Sequence, residues 1–307
     1  MSAKTKNKSD IILFSVAAVL LVFYIISFTK SCSSTDKREI VKTALVNKKY
    51  KDEINQFQLQ SMGQLITLSK LDGRWYIIPG DNTEISMPAD ETKINRFIDD
   101  LVTVQDLYKL GDNSSKNNSF GFSEPSAFNI RYYYGENGDF KDIIFGNQDF
   151  ALSSRYMMSG KSTTVYEIGS TFDIYLTTNV QSWTEPYIIS QQFLGNIKAD
   201  DIQRCLVTYD GTTAAVNFDS KLLELRHGGF PTTRYFSFEM FDNPLMEIKL
   251  ELGNKNNIVL KICQSGKSDE QEYFIETEYR NESSNTNYVS YSKISGWTYN
   301  KITEIML

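Results

Sequence analysis

"FNIRYYYGENGDFKDIIFG", residues 128–146, is the stretch that decides the fold class. Phe128, Ile130, Tyr132 and Tyr134 alternate with Asn129, Arg131 and Tyr133. "GENGD" supplies a turn, and Ile143–Phe145 begin the return strand. Such alternation marks antiparallel strands with one dry and one wet face. "MEIKLELGNKNNIVLKI", residues 246–262, does the same. Met246, Ile248, Leu250 and Leu252 face one way, and Glu247, Lys249 and Glu251 the other. Gly253-Asn254 opens its turn, and Ile258, Leu260 and Ile262 return. The expectation is an α+β module of antiparallel strands with a few helices.

Working outward, "GQLITLSKLDGRWYIIPG" is two apolar runs around Asp72-Gly73, a hairpin signal. "MPADETKINRFIDDLVTVQDLYKL" reads as an amphipathic helix. Asp90 is its N-cap, Glu91 lies in its first turn, and Ile94, Phe97, Ile98, Leu101 and Val104 form its buried stripe. Residues 111–119 are polar and loop-like. Each of the two hairpins is followed by a polar loop and an aromatic strand, "SRYMMSGKSTTVYEI" and "EYFIETEYRNESSNTNYVSYSKI". Hairpin, loop and aromatic strand recurring in order point to a duplicated unit.

The run Ile11–Phe28 is uncharged. Eighteen such residues are about the shortest helix that crosses a bilayer core of ~30 Å. The flank Phe28-Thr29-Lys30-Ser31-Cys32 holds no small-x-small cleavage triplet, and Lys30 is a poor neighbour for a lipidated Cys32. A retained anchor therefore ranks first, a lipidated Cys32 second and a cleaved signal third. The count of Lys and Arg around the run leans toward a cytoplasmic C-terminal side. The short basic N-terminal tail is equally the layout of an export signal, so these residues leave orientation open.

Residues 1–53 hold ten Lys and Arg against five Asp and Glu, while the remainder holds 22 against 33. An acidic module repels phosphate backbones, which argues against nucleic-acid binding. Cys32, Cys205 and Cys263 have no C-x-x-C spacing, so neither a zinc site nor a thioredoxin-like motif is indicated. Cys205 and Cys263 read as separate buried residues. The single histidine, His227 in "ELRHGGF", reads as part of a turn. No G-x-S-x-G elbow, G-x-G-x-x-G or phosphate loop occurs. The pairs Asp99-Asp100 and Asp200-Asp201 read as solvated surface acids, and Tyr133 beside Arg131 as a wet-face pair suited to a protein interface.

"GRWYI", "MPADETKINRFIDDLVTV", "FGFSEPSAFNIRYYYGENGDFKDIIFG" and "SRYMMSGKSTTVYEI" together resemble the bacterial domain-of-unknown-function family 4340. Trp75, Pro88, Ala89, Asp90, Phe120, Gly121, Pro125, Gly146, Tyr156, Val165 and Tyr166 carry the resemblance, and Phe122 stands where the family usually has Leu. It covers roughly residues 60–190. The resemblance implies a single-span envelope protein, often encoded beside a gliding-motility-type ABC transporter, with an extracytoplasmic module. It brings no catalytic, cofactor-binding or metal residues.

The organisation expected is a tail over 1–10, a transmembrane helix over 11–28 and a juxtamembrane linker or helix over 29–56. A first α+β subdomain over 57–192 and a second, β-rich one over 193–307 complete the chain. The function expected is a non-enzymatic accessory or scaffold at the bacterial inner membrane. Its expected partners are the membrane, through Ile11–Phe28, and an integral-membrane protein such as a transporter permease. An envelope ligand-binding module for glycan or peptide is the alternative, and a hydrolase comes third.

Overall fold

The computed structural model describes residues 39–80, 85–112, 118–192, 197–253, 256–267, 270–281 and 286–307. The anchor expected over Ile11–Phe28 and the expected lipidation site Cys32 lie outside them. Among the described residues no helix is long and apolar enough to cross a membrane. Val41–Leu307 form one compact unit built on two antiparallel sheets.

The larger sheet comprises β1 (Ile40–Thr43), β2 (Ile54–Ser61), β3 (Gln64–Leu71), β4 (Arg74–Pro79), β5 (Met87–Pro88), β6 (Gln105–Asp112), β7 (Phe128–Tyr134), β8 (Asp139–Gln148), β9 (Ser154–Ser159) and β10 (Thr164–Gly169). Their spatial order is β1-β6-β10-β9-β8-β7-β2-β3-β4-β5. The hairpin at Asp72-Gly73 forms as the sequence indicates, with φ of 49° and 82° at the two turn residues. Positive φ at both central positions is what a type I′ turn requires. In β7, Phe128, Ile130 and Tyr132 are buried, while the Tyr133 hydroxyl bonds Gln58 on the other face.

The helix α1 (Glu91–Val102) crosses this sheet. Its N-cap is Asp90, whose carboxylate accepts from the Lys93 backbone N–H at 2.9 Å. Ile94, Phe97, Ile98 and Leu101 are buried against Phe57, Trp75, Tyr175 and Trp183. Val104, expected on the same stripe, is exposed instead. The helix stops at Val102, and Thr103 closes it with its N–H on Asp99 O, so the 3.6-residue period no longer governs Val104.

The described part of the segment expected as a linker or helix is folded. It holds β1, a 3₁₀ turn over Lys48–Glu53 and the start of β2. β2 is interior to the sheet, between β3 and β7. Its core residues Ile54, Phe57 and Leu59 fall out of step because a bulge shifts the register between Ile54 and Gln56.

The smaller sheet comprises β11 (Ile202–Tyr209), β12 (Thr212–Val216), β13 (Met246–Leu252), β14 (Asn256–Ser265), β15 (Glu272–Asn281) and β16 (Thr286–Ile294), in the order β12-β11-β13-β14-β15-β16. One face is covered by the 3₁₀ turn Ser220–Glu224 and the C-terminal helix α2 (Gly296–Met306), through Leu222, Leu223, Ile302 and Met306. Part of the other is covered by Phe236, Met240 and Phe241. Cys205 and Cys263 are buried in these two separate clusters and are free thiols.

The order β3-β2-β7-β8-β9-β10 in the first sheet is matched by β12-β11-β13-β14-β15-β16 in the second. The local details recur as well. β2 and β11 each have eight residues. Each follows a 3₁₀ turn, Lys48–Glu53 or Ala199–Asp201. Each carries a bulge in its first three residues. Each ends in a two-residue turn with φ positive at both positions, Met62-Gly63 and Asp210-Gly211.

Between the sheets runs Trp183–Gln191, bonded to both. Asp90 N–H donates to Trp183 O and Glu185 N–H to Pro88 O on one side. Ile188 N–H donates to Leu225 O, the Thr277 hydroxyl to Ile188 O and Ser190 N–H to the Tyr279 hydroxyl on the other.

Candidate functional site

The histidine singled out in the sequence sits in a network of hydrogen bonds within the fold. His227 accepts at Nδ1 from Gly229 N–H at 2.9 Å, and its Nε2 meets Glu185 O at 2.7 Å. The first bond assigns the proton to Nε2, so the ring is neutral and both nitrogens are used. Burial holds its pKa below the ordinary 6.5. Glu185 is itself buried, and its carboxylate accepts from the Ser190 hydroxyl and from Gln191 N–H. Burial pushes that carboxyl up despite those bonds. The pair, with Glu185 buried and His227 half-buried, is a clasp on the segment joining the two sheets.

Three of the four paired carboxylates are likewise engaged, and Asp200 is exposed. Asp99 is ion-paired with Lys51 at 2.6 Å. Asp100 accepts from the Tyr175 hydroxyl at 2.6 Å. Asp201 accepts from Lys198 N–H at the start of its 3₁₀ turn. Among the described residues no group of three or more His, Cys, Asp or Glu is placed to hold a metal ion. Arg131, Tyr133 and Phe140 do meet on the wet face. The guanidinium lies 4.4 Å from the Phe140 ring centre and is bidentate to Asp142.

The most unusual surface lies at one end of the larger sheet. Because neighbouring strands are antiparallel, the end of β2, the start of β7, the end of β8, the start of β9 and the end of β10 all meet there. Four large apolar side chains are exposed in the turns at this end: Met62, Phe150, Leu152 and Ile174. Phe150 has 105% of its reference surface exposed, so nothing in the fold explains it.

The turn that carries Phe150 has a fixed shape. The Asp149 carboxylate accepts from Ser153 N–H at 2.8 Å and Ser154 N–H at 3.0 Å. Leu152 N–H closes back on Asp149 O at 3.0 Å. These bonds to the ionised carboxylate, Ser154 N–H first, hold Asp149 below the ordinary carboxylate range. Leu152 sits at φ +55°, a left-handed conformation that costs a branched residue energy and that Gly would take freely.

The loops beneath are held with equal definition. Arg155 pairs with Asp173 at 2.8 Å and donates to Gly146 O at 2.8 Å, while Gln148 donates to the other oxygen of Asp173. That fixes the 3₁₀ turn Ser170–Tyr175, with Phe172 and Tyr175 inward and Ile174 outward. Met62 N–H donates to Pro125 O, tying the β2–β3 turn to the loop before β7. Residues 61–64, 120–127, 147–154 and 169–178 contain Glu124, Asp149 and Asp173 but no Lys or Arg. With Arg155 neutralising Asp173, the end is apolar at its tips, and Glu124 and Asp149 leave it mildly acidic.

A second concavity, of about 540 Å³, lies where β4 meets β15 and β16. Asp72, Arg74, Asn281 and Asn287 line it beside Tyr76, Tyr279 and Tyr288. The Tyr76 and Tyr288 rings are 5.0 Å apart, and the Tyr288 hydroxyl donates to Ser86 O at 3.3 Å. Burial raises the Tyr76 phenol to about 12.

Neither the loop end nor the joining segment was legible in advance. A single Phe between Asp149 and Ser153 looks ordinary in one sequence, and only its exposure marks it. The available signal was the spacing of Asp149 from Ser153-Ser154, which suits a side-chain-capped turn.

Residues 82–217 match the family model described as "Domain of unknown function (DUF4340)". The match takes in Pro88, Ala89, Asp90, Phe120, Gly121, Pro125, Gly146, Tyr156, Val165 and Tyr166, the loop end apart from Met62 and its turn, and the joining segment, and runs on through β11 and β12. Trp75 lies outside it. No curated protein and no solved structure matches the chain.

Proposed function

With residues 82–217 a member of the DUF4340 family, we propose that this chain is a non-enzymatic accessory or scaffold protein that works by holding another protein. In this reading Ile11–Phe28 anchors it in the bacterial inner membrane, and the folded module stands outside the cytoplasm. Its partner is an integral-membrane protein, with a transporter permease the leading candidate. The module itself is two related subdomains, a duplicated unit, in accord with the recurring strand order, bulge and turn.

The observation that carries the reading is the full exposure of Phe150 on a turn shaped by Asp149. A large apolar residue held rigidly in water gains most when it enters a partner's pocket, because little conformational entropy is left to lose. The surrounding loops carry no Lys or Arg, and the adjoining Arg155 is taken up by Asp173, which disfavours an anionic lipid surface. The same charge balance suits an apolar pocket with a basic rim. Anchoring would raise the effective concentration of the module toward such a partner.

The test is cross-linking and pull-down from membranes with the full chain. The wild-type chain is expected to recover an integral-membrane protein, and Phe150→Ser with Leu152→Ser to lose it at unchanged melting temperature. Equal recovery by both would refute this surface. An export-dependent reporter fused after Leu307 checks orientation and should be active.

A second reading is favoured by the tyrosine-lined concavity at β4, β15 and β16. The polar groups of Asp72, Arg74, Asn281 and Asn287 beside the half-buried Tyr288 suit a glycan. Titration with cell-wall oligosaccharides, followed by Arg74→Ala, distinguishes it from the scaffold reading. Turnover of such a substrate would favour the hydrolase instead.

A further inference from the structure

Among the described residues β12 is an open edge. Thr212, Thr213, Ala214 and Ala215 are all exposed, Val216 is half-buried, and the strand pairs only with β11 there. Natural edge strands are commonly protected by charge, proline or a bulge. "TTAAV" has no charge and no proline, and its register with β11 is unbroken from Cys205↔Val216 to Tyr209↔Thr212. The opposite edge of the sheet is treated differently. At β16, Gly228 N–H donates to Lys293 O, and Lys293 N–H donates to Gly229 O.

The other half of the molecule indicates what belongs beside β12. In the matched strand order β12 corresponds to β3, whose outer side is taken by β4. The correspondence runs pair by pair. Leu59↔Ile66 in the first sheet is Val207↔Ala214 in the second, and Phe57↔Leu68 is Cys205↔Val216. Ile66 and Leu68 are buried beside β4. Ala214 and Val216 hold the same inward positions, Val216 packing against the core, with no outer strand beside them among the described residues. The second sheet thus has the unit's β3 but not its β4.

We propose that β12 pairs antiparallel with β12 of a second copy of this chain, joining two six-stranded sheets into one across a two-fold axis. An outer strand follows from the duplicated-unit reading, and β12 itself favours a second copy. A two-fold sets any strand antiparallel to its own copy, which is the geometry of every neighbour pair in this sheet. Centred on Ala214, it opposes Ala214 to itself, Thr213 to Ala215 and Thr212 to Val216. Continuing outward, Asp210 faces Phe218 and Asp219 faces Tyr209, so no like charges meet. The small side chains allow close approach, and Ala214 and Val216 of both copies gain cover on the inward face.

The test uses the full chain in its membrane with Cys32→Ser, since Cys205 and Cys263 are buried. Ala214→Cys is expected to form a disulfide-linked dimer under mild oxidation. Leu71→Cys, at an exposed turn of the other sheet, is the control and should not. In detergent micelles, sedimentation of the wild-type chain should show a monomer–dimer equilibrium. Thr213→Lys with Ala215→Lys, which opposes lysines across the axis, should weaken it about tenfold or more at unchanged melting temperature. Cross-linking no better than the control, a monomer at every concentration, or cross-linking of Ala214→Cys to a different protein would each overturn the proposal. Loss of dimer with retention of the membrane partner by wild-type protein would overturn it alone and leave the loop-end reading standing.

Discussion

Gly146 lies against the carbonyl of Phe120, so close that a Cβ on it would stand 2.0 Å from that oxygen. The contact is reciprocal in kind. Gly121, at φ +77°, faces the Asn147 side chain, and a Cβ there would stand 2.4 Å from its amide carbon. Phe120, Gly121 and Gly146 are three of the residues that carry the family resemblance. Their role is structural: they lay the loop before β7 directly on β8, beneath the acidic, apolar loop end.

Gly146→Ala is therefore expected to cost about 1–3 kcal/mol, as an overpacked site does, because backbone rather than a flexible side chain must move. Gly138→Ala is the control. Its φ is +69° and nothing lies within 4 Å of the added carbon, so only the left-handed strain of about 1–2 kcal/mol should appear. Urea denaturation of both variants checks this. Equal losses would mean that the Phe120 loop yields easily.

Leu250 and Lys249 test the register of the second sheet. Leu250 is fully buried between Cys205 and Ile258, whereas Lys249 is partly exposed and pairs with Glu251 at 2.9 Å. Leu250→Ala should cost about 2–5 kcal/mol. Lys249→Ala should cost no more than about 1 kcal/mol, since an exposed pair contributes little. Similar losses at the two sites would contradict the burial assigned here.

These expectations differ in how far the sequence carried them. "MEIKLEL" and "FNIRYYY" alternate without interruption, so strand, face and partner follow from period two alone. "INQFQLQS" does not, since the bulge after Ile54 breaks the period and three glutamines disguise an interior strand. The N-cap at Asp90 was legible because capping is local, and the exposure of Val104 was not because it depends on where the helix ends. The clasp of Glu185 and His227 joins residues 42 positions apart. No local pattern encodes such a meeting. The loop end was hidden for the opposite reason, because what distinguishes Phe150 is the lack of any burial around it.

The half-buried, hydrogen-bonded neutral ring of His227 gives stability a pH dependence of definite sign. Its folded pKa lies below the 6.5 of the free side chain. Above pH 6.5 the group is neutral in both states. As pH falls below that value the unfolded chain takes up a proton that the native ring resists. Stability is then lost by up to about 1.4 kcal/mol per pH unit until the folded pKa is reached. Glu185, raised by burial, acts with the opposite sign, since the native state binds its proton more readily. Comparing wild type with His227→Gln between about pH 7.5 and 5.5 isolates the histidine. The wild type should lose more stability than the variant over that range, measured by urea unfolding. A parallel pair of pH profiles would contradict the assignment.

Leu152 offers a test in which stability and function part company. At φ +55° its backbone pays for a conformation that Gly adopts without strain. Its side chain buries almost nothing in return, being 67% exposed. Leu152→Gly should therefore leave stability unchanged or raise it, by up to about 1 kcal/mol. A strained residue whose replacement stabilises the fold marks a position where function, not packing, is the thing to test. If the loop end grips a membrane partner, the same substitution should weaken capture of that partner, and Phe150→Ala should do so more strongly at equal melting temperature. Thermal melts and membrane cross-linking of the two variants read these effects separately. A stabilised Leu152→Gly that still captures the partner fully would place the contact elsewhere on the module.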